Sequence, residues 1–393
     1  MRILLLAPHP FYQERGTPIA VDLLLRVLSE RGDLVDVLTY AEGAARRYPG
    51  VTLHRIPPLP LVNGIRPGFS LKKLICDAFL LRDALRLARR NRYDVVHAVE
   101  ESVFIARLIR RRFGTPYIFD MDSSMPRQIV DKQPYLRFLL PLMSRMEAQS
   151  VRQAAAVVAV CDSLAGLAQR CGAANVVVLR DISLLEGLPG AAEGPDLKPA
   201  LGTAGTCFLY LGNLEPYQGI ELLLRSFALL LKRGVAADLV IAGGSPRDIR
   251  KYGALAGQLE IGKHTHFVGP KPLTMMAALF ASADVLVSPR IQGGNTPMKI
   301  YSYLDSGKPI LATRLPTHTQ VLDDASAVLE APDPESFARG MIRLASDAAL
   351  RDRIGRRGRE IYRQRYSFDV FRQTLRTLYE RLDQTLARSE HSV

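Results

Sequence analysis

The chain has 393 residues, more than one hydrophobic core usually holds and enough for two domains. Nearly half are apolar and 23% are charged, an ordinary globular composition, and no apolar run approaches the roughly 20 residues of a bilayer span. The net charge of +13 is not a basic tail: 26 Lys and Arg stand against 19 Asp and Glu up to residue 195, and 26 against 20 after it. Such a balance suits phosphate-rich ligands or an anionic membrane surface. The lack of Trp, of an RNA-recognition aromatic signature and of zinc-finger spacing speaks against nucleic acid.

The N-terminus, MRILLLAPHP, is too short in its apolar part for a signal peptide and reads as a buried strand, which predicts a cytoplasmic protein. Further strands are predicted at Leu34–Tyr40, Val51–Pro57, Asp94–Val99, Pro116–Asp120, Ala155–Val160 and Asn175–Arg180. Their apolar residues are consecutive rather than alternating, the pattern of a parallel sheet covered on both faces. Helices are predicted between them near 17–31, 69–92, 101–113, 136–153 and 162–171. Residues 183–206 are rich in Gly, Pro and Ala and read as a linker.

The alternation restarts with strands at Cys207–Gly212, Asp238–Gly243, Thr265–Gly269, Val285–Ser288, Pro309–Thr313 and Ala327–Leu329. The predicted helices there are 219–234, 246–261, 274–283, 296–306, 317–325 and 334–347, followed by 348–365 and 368–388. Two βα-alternating halves imply an α/β protein of two doubly wound, Rossmann-like domains facing each other: 1–182, then the linker 183–206, then 207–366. Cys76, Cys161, Cys171 and Cys207 are scattered, show no metal-ligand spacing, and read as small buried residues. No metal site is expected.

Ligands of open parallel sheets bind beyond the carboxyl ends of the strands, so the loops there are the candidate sites. After the first strand, His9–Ile19 carries Gly16, which permits close backbone approach, and Thr17, a candidate cap for the next helix. His97 with Glu100 and Glu101, and then Asp120 and Asp122 in the polar loop DMDSSMPRQ, offer groups for binding hydroxyls or moving protons. Gly212–Gly219 is a glycine-bearing turn from strand to helix. Most informative is Val287–Gly307: Arg290, Gly293, Gly294, then Asn295 or Thr296 as a helix cap, Pro297 in the first turn, Met298 and Lys299. Two cations and free N–H groups at the positive end of a helix suit an anion such as a pyrophosphate.

At these residues the chain resembles the retaining GT-B glycosyltransferases of family four. The resemblance covers nearly the whole sequence and rests on His9–Ile19, YLGNLEPYQGIELLLRSF (Tyr210–Phe227), HFVGP (His266–Pro270) and TPMKIYSYLDSGKPILAT (Thr296–Thr313). It implies a nucleoside-diphosphate sugar as co-substrate bound by the second domain, and an acceptor, lipid-linked or glycan, bound by the first. It places Val268 and Gly269 near the base, Gly293 to Lys299 at the sugar and diphosphate, Gly16 near the diphosphate, and a terminal helix, 367–393, crossing back onto the first domain. The sequence departs from the family where Arg, Lys and two glutamates eight residues apart are usual: Asn213, Gln218, Gly294 and Ser302 stand there. Arg290 and Lys299 are then expected to supply the missing charge, and Ser302 to reach a ribose hydroxyl. The departures leave open a catalytically inactive partner subunit that binds nucleotide sugar or lipid, and a nucleotide-sugar epimerase.

A peripheral contact with the inner face of the cell membrane is also expected. Ile56–Phe69 is apolar and Pro-rich, and the next helix sets Leu71, Leu74 and Ile75 beside Lys72, Lys73 and several arginines. The competing reading puts those three apolar residues in the core.

Overall fold

The computed structural model describes residues 1–14, 16–59, 70–186 and 205–390. Most of the apolar loop expected to meet a membrane (60–69) and most of the 183–206 linker (187–204) lie outside the described residues. The chain divides into two compact units: Met1–Arg180 together with Phe371–Val393, and Asp181–Val370.

The first unit is a seven-stranded parallel sheet. Its strands are β1 (Arg2–Ala7), β2 (Leu34–Thr39), β3 (Val51–Arg55), β4 (Val95–Val99), β5 (Tyr117–Met121), β6 (Ala156–Ala159) and β7 (Val176–Val178), in the order β3-β2-β1-β4-β5-β6-β7. Ile3, Leu4, Leu5 and Leu6 of β1 are all fully buried, which is why the strand reads as an unbroken apolar run. The helices are α1 (Gly16–Glu30), α2 (Leu71–Arg90), α3 (Val103–Phe113), α4 (Met125–Lys132), α5 (Leu140–Gln153) and α6 (Asp162–Arg170). α4 falls where the sequence suggested a loop; Ser124 and the Met125 N–H both bond the buried Glu147 of α5, which anchors its start.

The second unit repeats the arrangement with six parallel strands: β8 (Thr206–Leu211), β9 (Ala237–Ala242), β10 (Thr265–Gly269), β11 (Val285–Ser288), β12 (Ile310–Thr313) and β13 (Val328–Glu330), ordered β10-β9-β8-β11-β12-β13. Its helices are α7 (Ile220–Lys232), α8 (Pro246–Gln258), α9 (Met276–Ser282), α10 (Lys299–Ser306), the single turn α11 (Pro316–Thr319), α12 (Pro334–Ser346) and α13 (Ala348–Arg365). α11 is shorter than the 317–325 pattern suggested, because Asp323 turns the chain by bonding Ser326 and Ala325.

The last helix, α14 (Phe368–Glu390), belongs to the first unit from Phe371 onward. Tyr379 is fully buried there and its hydroxyl lies 2.7 Å from His97 Nδ1. Asp383 accepts from Arg31 at 2.8 Å, and Arg31 also grips Asp33, which receives the chain's N-terminal ammonium at 2.9 Å.

Both sheets reverse strand order once, between β1 and β4 in the first unit and between β8 and β11 in the second. The connections leave in opposite directions at such a reversal, which opens a crevice at the carboxyl ends of the flanking strands.

Candidate functional site

In the second unit, the crevice between β8 and β11 gathers most of the residues singled out from the sequence. Gly219 is pressed against the carbonyl of Pro289 so closely that a Cβ would collide with it, and φ there is +73°. The Ile291 N–H bonds the Tyr217 carbonyl at 2.9 Å. These contacts lock the loop after β8 onto the loop after β11.

Arg290 runs beneath the latter loop. Its Nη1 donates to the Asn295 carbonyl at 3.1 Å and to Thr317 Oγ1 at 3.2 Å, and its guanidinium carbon lies 5.0 Å from the centre of the Tyr217 ring. A Cβ at Gly293 would stand 2.8 Å from that carbon, and φ at Gly293 is +133°, so this position requires glycine. Gln320 Nε2 donates to the Gly294 carbonyl at 3.0 Å.

Lys299 is the first residue of α10 and is buried. Its Nζ sits 4.0 Å from the centre of the Tyr210 ring and has no hydrogen-bond partner among the described residues. Burial first, and then the neighbouring Arg290, holds its ammonium well below the ordinary lysine range. Burial likewise lowers Arg290, with Tyr217 and Tyr210 acting against it. Neither cation makes an ion pair with a described carboxylate. A buried and a half-buried cation that neighbour each other repel, and an anion between them would relieve both costs.

The helix begins at Lys299 with Met298 before it, and no side chain caps it. This corrects the expectation that Asn295 or Thr296 is the cap and that the helix starts at 296. The Asn295 carbonyl is held by Arg290 and by Thr317 Oγ1 (2.7 Å), which keeps Asn295 to Pro297 off the helix axis. Thr296 Oγ1 is buried without a hydrogen-bond partner among the described residues, as is Gln218 Oε1. Val268 and Gly269 close β10 and are half-buried. Asn213 is exposed, and its carbonyl accepts from the Tyr210 hydroxyl at 2.6 Å.

Ser302 does not fill the expected role. It is fully buried one turn into α10, and its Oγ accepts from the Leu184 N–H at 2.8 Å. It anchors the incoming chain rather than facing a ligand.

Other neighbours of the two cations were not singled out from the sequence: Tyr210 and Tyr217, which lie in the quoted YLGNLEPYQG stretch, and Thr317 and His318. His318 is fully buried, with Nδ1 2.8 Å from the Thr313 carbonyl and Nε2 2.9 Å from Ser288 Oγ. A carbonyl only accepts, so Nδ1 carries the proton, and Nε2 of the neutral ring accepts from Ser288. Burial pushes its pKa down to about 3, with Lys299 and Arg290 adding to the effect.

In the first unit, the sequence candidates separate. His97 is wholly buried mid-strand. Its Nε2 lies 3.2 Å from Asp120 Oδ2, and its ring stacks on Tyr379. A carboxylate only accepts, so Nε2–H donates to Asp120, and Nδ1 pairs with the Tyr379 hydroxyl. With no exposed atom, His97 is a packing residue that ties α14 to the sheet, which corrects its assignment to proton transfer. Asp120 is committed to that bond, whereas Asp122 stands half-buried just beyond the end of β5. Gly16 is the first helical residue of α1, exposed, with open space beside it among the described residues. Thr17 therefore lies within the helix and is not its cap.

A second polar cluster meets at the reversal between β1 and β4. Lys73 of α2 is ion-paired with Glu101, and the Tyr40 hydroxyl donates to Asp77 at 2.5 Å. Burial raises Asp77 to about 6; Tyr40 lowers it, Glu101 raises it and Lys73 lowers it. His9, in the loop after β1, is driven down to about 4 by burial, partly opposed by its bond to the Pro10 carbonyl. The cluster was not legible in the sequence because α2 brings Asp77 to Tyr40 across 37 residues.

Two sheets of this order, each with its crevice at the reversal, define the GT-B class of α/β protein. The model for glycosyl transferases group 1 matches residues 198–361, and that for the glycosyl transferase 4-like domain matches residues 15–180. The chain belongs to this family of glycosyltransferases. It is 28% identical over 180 residues to phosphatidyl-myo-inositol mannosyltransferase of Mycobacterium leprae, covering 45% of this chain and 46% of that one. It is 25% identical over 189 residues to D-inositol 3-phosphate glycosyltransferase of Corynebacterium jeikeium, covering 46% and 45%. The chain thus spans about half the length of these curated relatives, although a 23% identical match to the mannosyltransferase of Mycobacterium tuberculosis covers 97% of both chains. Among solved structures, sucrose-phosphate synthase from Thermosynechococcus elongatus superposes with a TM-score of 0.80 at 18% identity, covering 98% of this chain and 99% of that one. Anabaena Alr3699/HepE in complex with UDP gives 0.74 at 15%, covering 97% and 100%. These structural likenesses concern the fold.

Proposed function

We propose that the chain transfers a sugar from a nucleoside-diphosphate sugar to an acceptor hydroxyl, and that Lys299 and Arg290 hold the diphosphate. The observation that carries this reading is a pair of neighbouring cations, Lys299 buried and Arg290 half-buried, with no carboxylate partner among the described residues, set at the strand-order reversal of the second unit. The Anabaena structure with UDP has the same fold, and the relatives' names are those of sugar transferases.

Breaking the bond between the sugar and the diphosphate leaves negative charge on the leaving phosphate. Cations fixed beforehand in a dry site stabilise that charge without reorganising. Burial and Arg290 depress the pKa of Lys299, and an arriving diphosphate opposes that shift by supplying the counter-charge that the ammonium lacks. In a retaining transfer the acceptor attacks the face the leaving group departs, and a phosphate oxygen takes the acceptor's proton. A dedicated carboxylate base is then not obligatory, which accommodates Gly294 and Ser302 at the glutamate positions. Asp122 is the remaining first-unit candidate for orienting the acceptor. Gly293 to Met298 would line the sugar and diphosphate, with Val268 and Gly269 towards the base.

A membrane-borne, lipid-linked acceptor is supported by the surface of the first unit. Leu71, Leu74 and Ile75 are 73%, 46% and 40% exposed, so they are not core residues. Tyr135, Phe138, Leu142 and Met146 are exposed at helical spacing, with the exposed Arg137 and Arg145 among them. Apolar side chains flanked by cations suit an anionic lipid surface. Lys73 is withdrawn from this role by its ion pair with Glu101. No helix of the described residues is long and apolar enough to cross a membrane.

The test is a thermal-shift screen of nucleoside diphosphates and their sugars, followed by turnover with and without acceptor. Stabilisation by one nucleotide series and sugar transfer that depends on acceptor are expected. Tight nucleotide-sugar binding without turnover would favour an inactive partner subunit instead. Release of an epimer without acceptor would favour an epimerase.

A further inference from the structure

The second unit holds another concave, cationic feature, away from Lys299 and Arg290. At the outer edge of its sheet, β13 and the flanking helices α12 and α13 enclose a cavity of about 540 Å³. Cavities of roughly 300–1,000 Å³ are the size that takes small molecules. β12 separates β13 from β11, and neither Arg290 nor Lys299 lines the cavity.

Four arginines line it: Arg314, Arg339, Arg343 and Arg353. The sequence places Arg339 and Arg343 four residues apart on α12, one turn above the other on the same helix face. Gly340 lies between them, against Leu311, Val328 and the Glu330 side chain; a Cβ there would stand 2.6 Å from Leu311 Cδ1. This close approach seats α12 on β13 and holds both arginines at the sheet's edge. Arg353 comes from α13, beside the buried Leu350 and Ile354, which give the cavity an apolar side.

The charges do not balance. Only two carboxylates line the cavity, Asp324 and Glu330. Asp324 is consumed by Arg314, which donates to both its oxygens at 3.2 and 2.5 Å. Burial pushes Glu330 up, while Arg339, Arg314 and Arg343 pull it down. Arg339, Arg343 and Arg353 make no ion pair with any described carboxylate; Arg339 donates only to Ser336 Oγ, at 2.7 Å. Four guanidiniums thus line a recess with two carboxylates, and three of the four have no ion pair among the described residues. Guanidinium presents paired N–H donors that match phosphate oxygens, and an apolar wall beside them suits the carbon skeleton of a metabolite.

We propose that this recess is a second ligand site, for a small molecule or headgroup carrying a phosphate monoester. Calorimetric titration of the full chain with fructose 1,6-bisphosphate at low salt tests it, alongside co-sedimentation with vesicles containing phosphatidic acid. Saturable sugar-phosphate binding is expected that persists in Lys299→Met and weakens at least tenfold in the Arg339→Gln/Arg343→Gln double variant and in Arg353→Gln. These arginines are exposed, so melting temperatures close to wild type are expected and show that folding is intact. If the wild type ignores the sugar phosphate but binds phosphatidic acid vesicles, and the double variant does not, the phosphate belongs to a lipid. The proposal is overturned if neither probe binds the wild type. It is equally overturned if binding is indifferent to the three arginines, or if it vanishes in Lys299→Met and therefore belongs to the first site. Because Lys299→Met separates the two sites, failure here leaves the donor reading standing.

Discussion

Replacing Lys299 with Met separates a ligand-binding cation from a structural one, because the two readings predict opposite changes. Met matches the lysine stem closely and removes only the charge. In the unliganded protein that charge is buried, without a hydrogen-bond partner and beside Arg290. A buried unsatisfied group costs about 1–3 kcal/mol, and more when charged. The face of Tyr210, 4.0 Å from Nζ, offsets about 0.5–2 kcal/mol of this. The net expectation is a gain of about 1 kcal/mol for the variant. In a unit of about this size that corresponds to a rise in Tm of roughly 2–4 °C. Binding should move the other way. A charge-assisted contact to phosphate contributes about 1.5–3 kcal/mol, so affinity for the preferred nucleoside diphosphate should fall roughly 10- to 150-fold. Differential scanning fluorimetry and calorimetric titration on the same preparations read both quantities. Unchanged affinity would refute the assignment of Lys299 to the diphosphate. A lower Tm with retained affinity would make it a packing residue.

His318 predicts a pH dependence. Its folded pKa, about 3, lies below its unfolded value near 6.5, so the unfolded chain binds the extra proton as pH falls through that window and stability drops. Between pH 6.5 and 4.5 the wild type should lose about 2.3 kcal/mol more than His318→Gln, the slope steepening towards roughly 1.4 kcal/mol per pH unit at the acid end; parallel slopes in urea titrations would contradict this. Tyr379→Phe removes the hydroxyl that meets His97 and should cost about 1–3 kcal/mol by orphaning a buried ring nitrogen, without changing nucleotide affinity. A neutral effect in chemical denaturation would mean that α14 is not secured there. Liposome co-sedimentation should show binding to anionic vesicles that salt weakens, and that Leu71→Ser with Leu74→Ser and Ile75→Ser reduces several-fold. Wild-type protein left in the supernatant at low salt would favour a soluble acceptor.

The sequence by itself determined the two parallel sheets. β1, β4 and β11 are buried on both faces, so their apolar runs are unbroken and visible without any neighbour. It also pointed to Arg290, Gly293 and Lys299, because cations and glycines after a buried strand mark the end of the sheet where ligands sit. What it left undecided is which of these groups is already satisfied. Ser302 looked available until the Leu184 N–H was found on its hydroxyl, and His97 looked chemical until Tyr379, 282 residues away, took its other nitrogen. Lys73 looked like a surface cation until it met Glu101, and Leu71 and Ile75 looked equally suited to core or surface. A residue's type fixes which bonds it can make, and that much is written in the chain. Whether those bonds are made depends on side chains brought together across tens to hundreds of residues, and only the tertiary structure decides that.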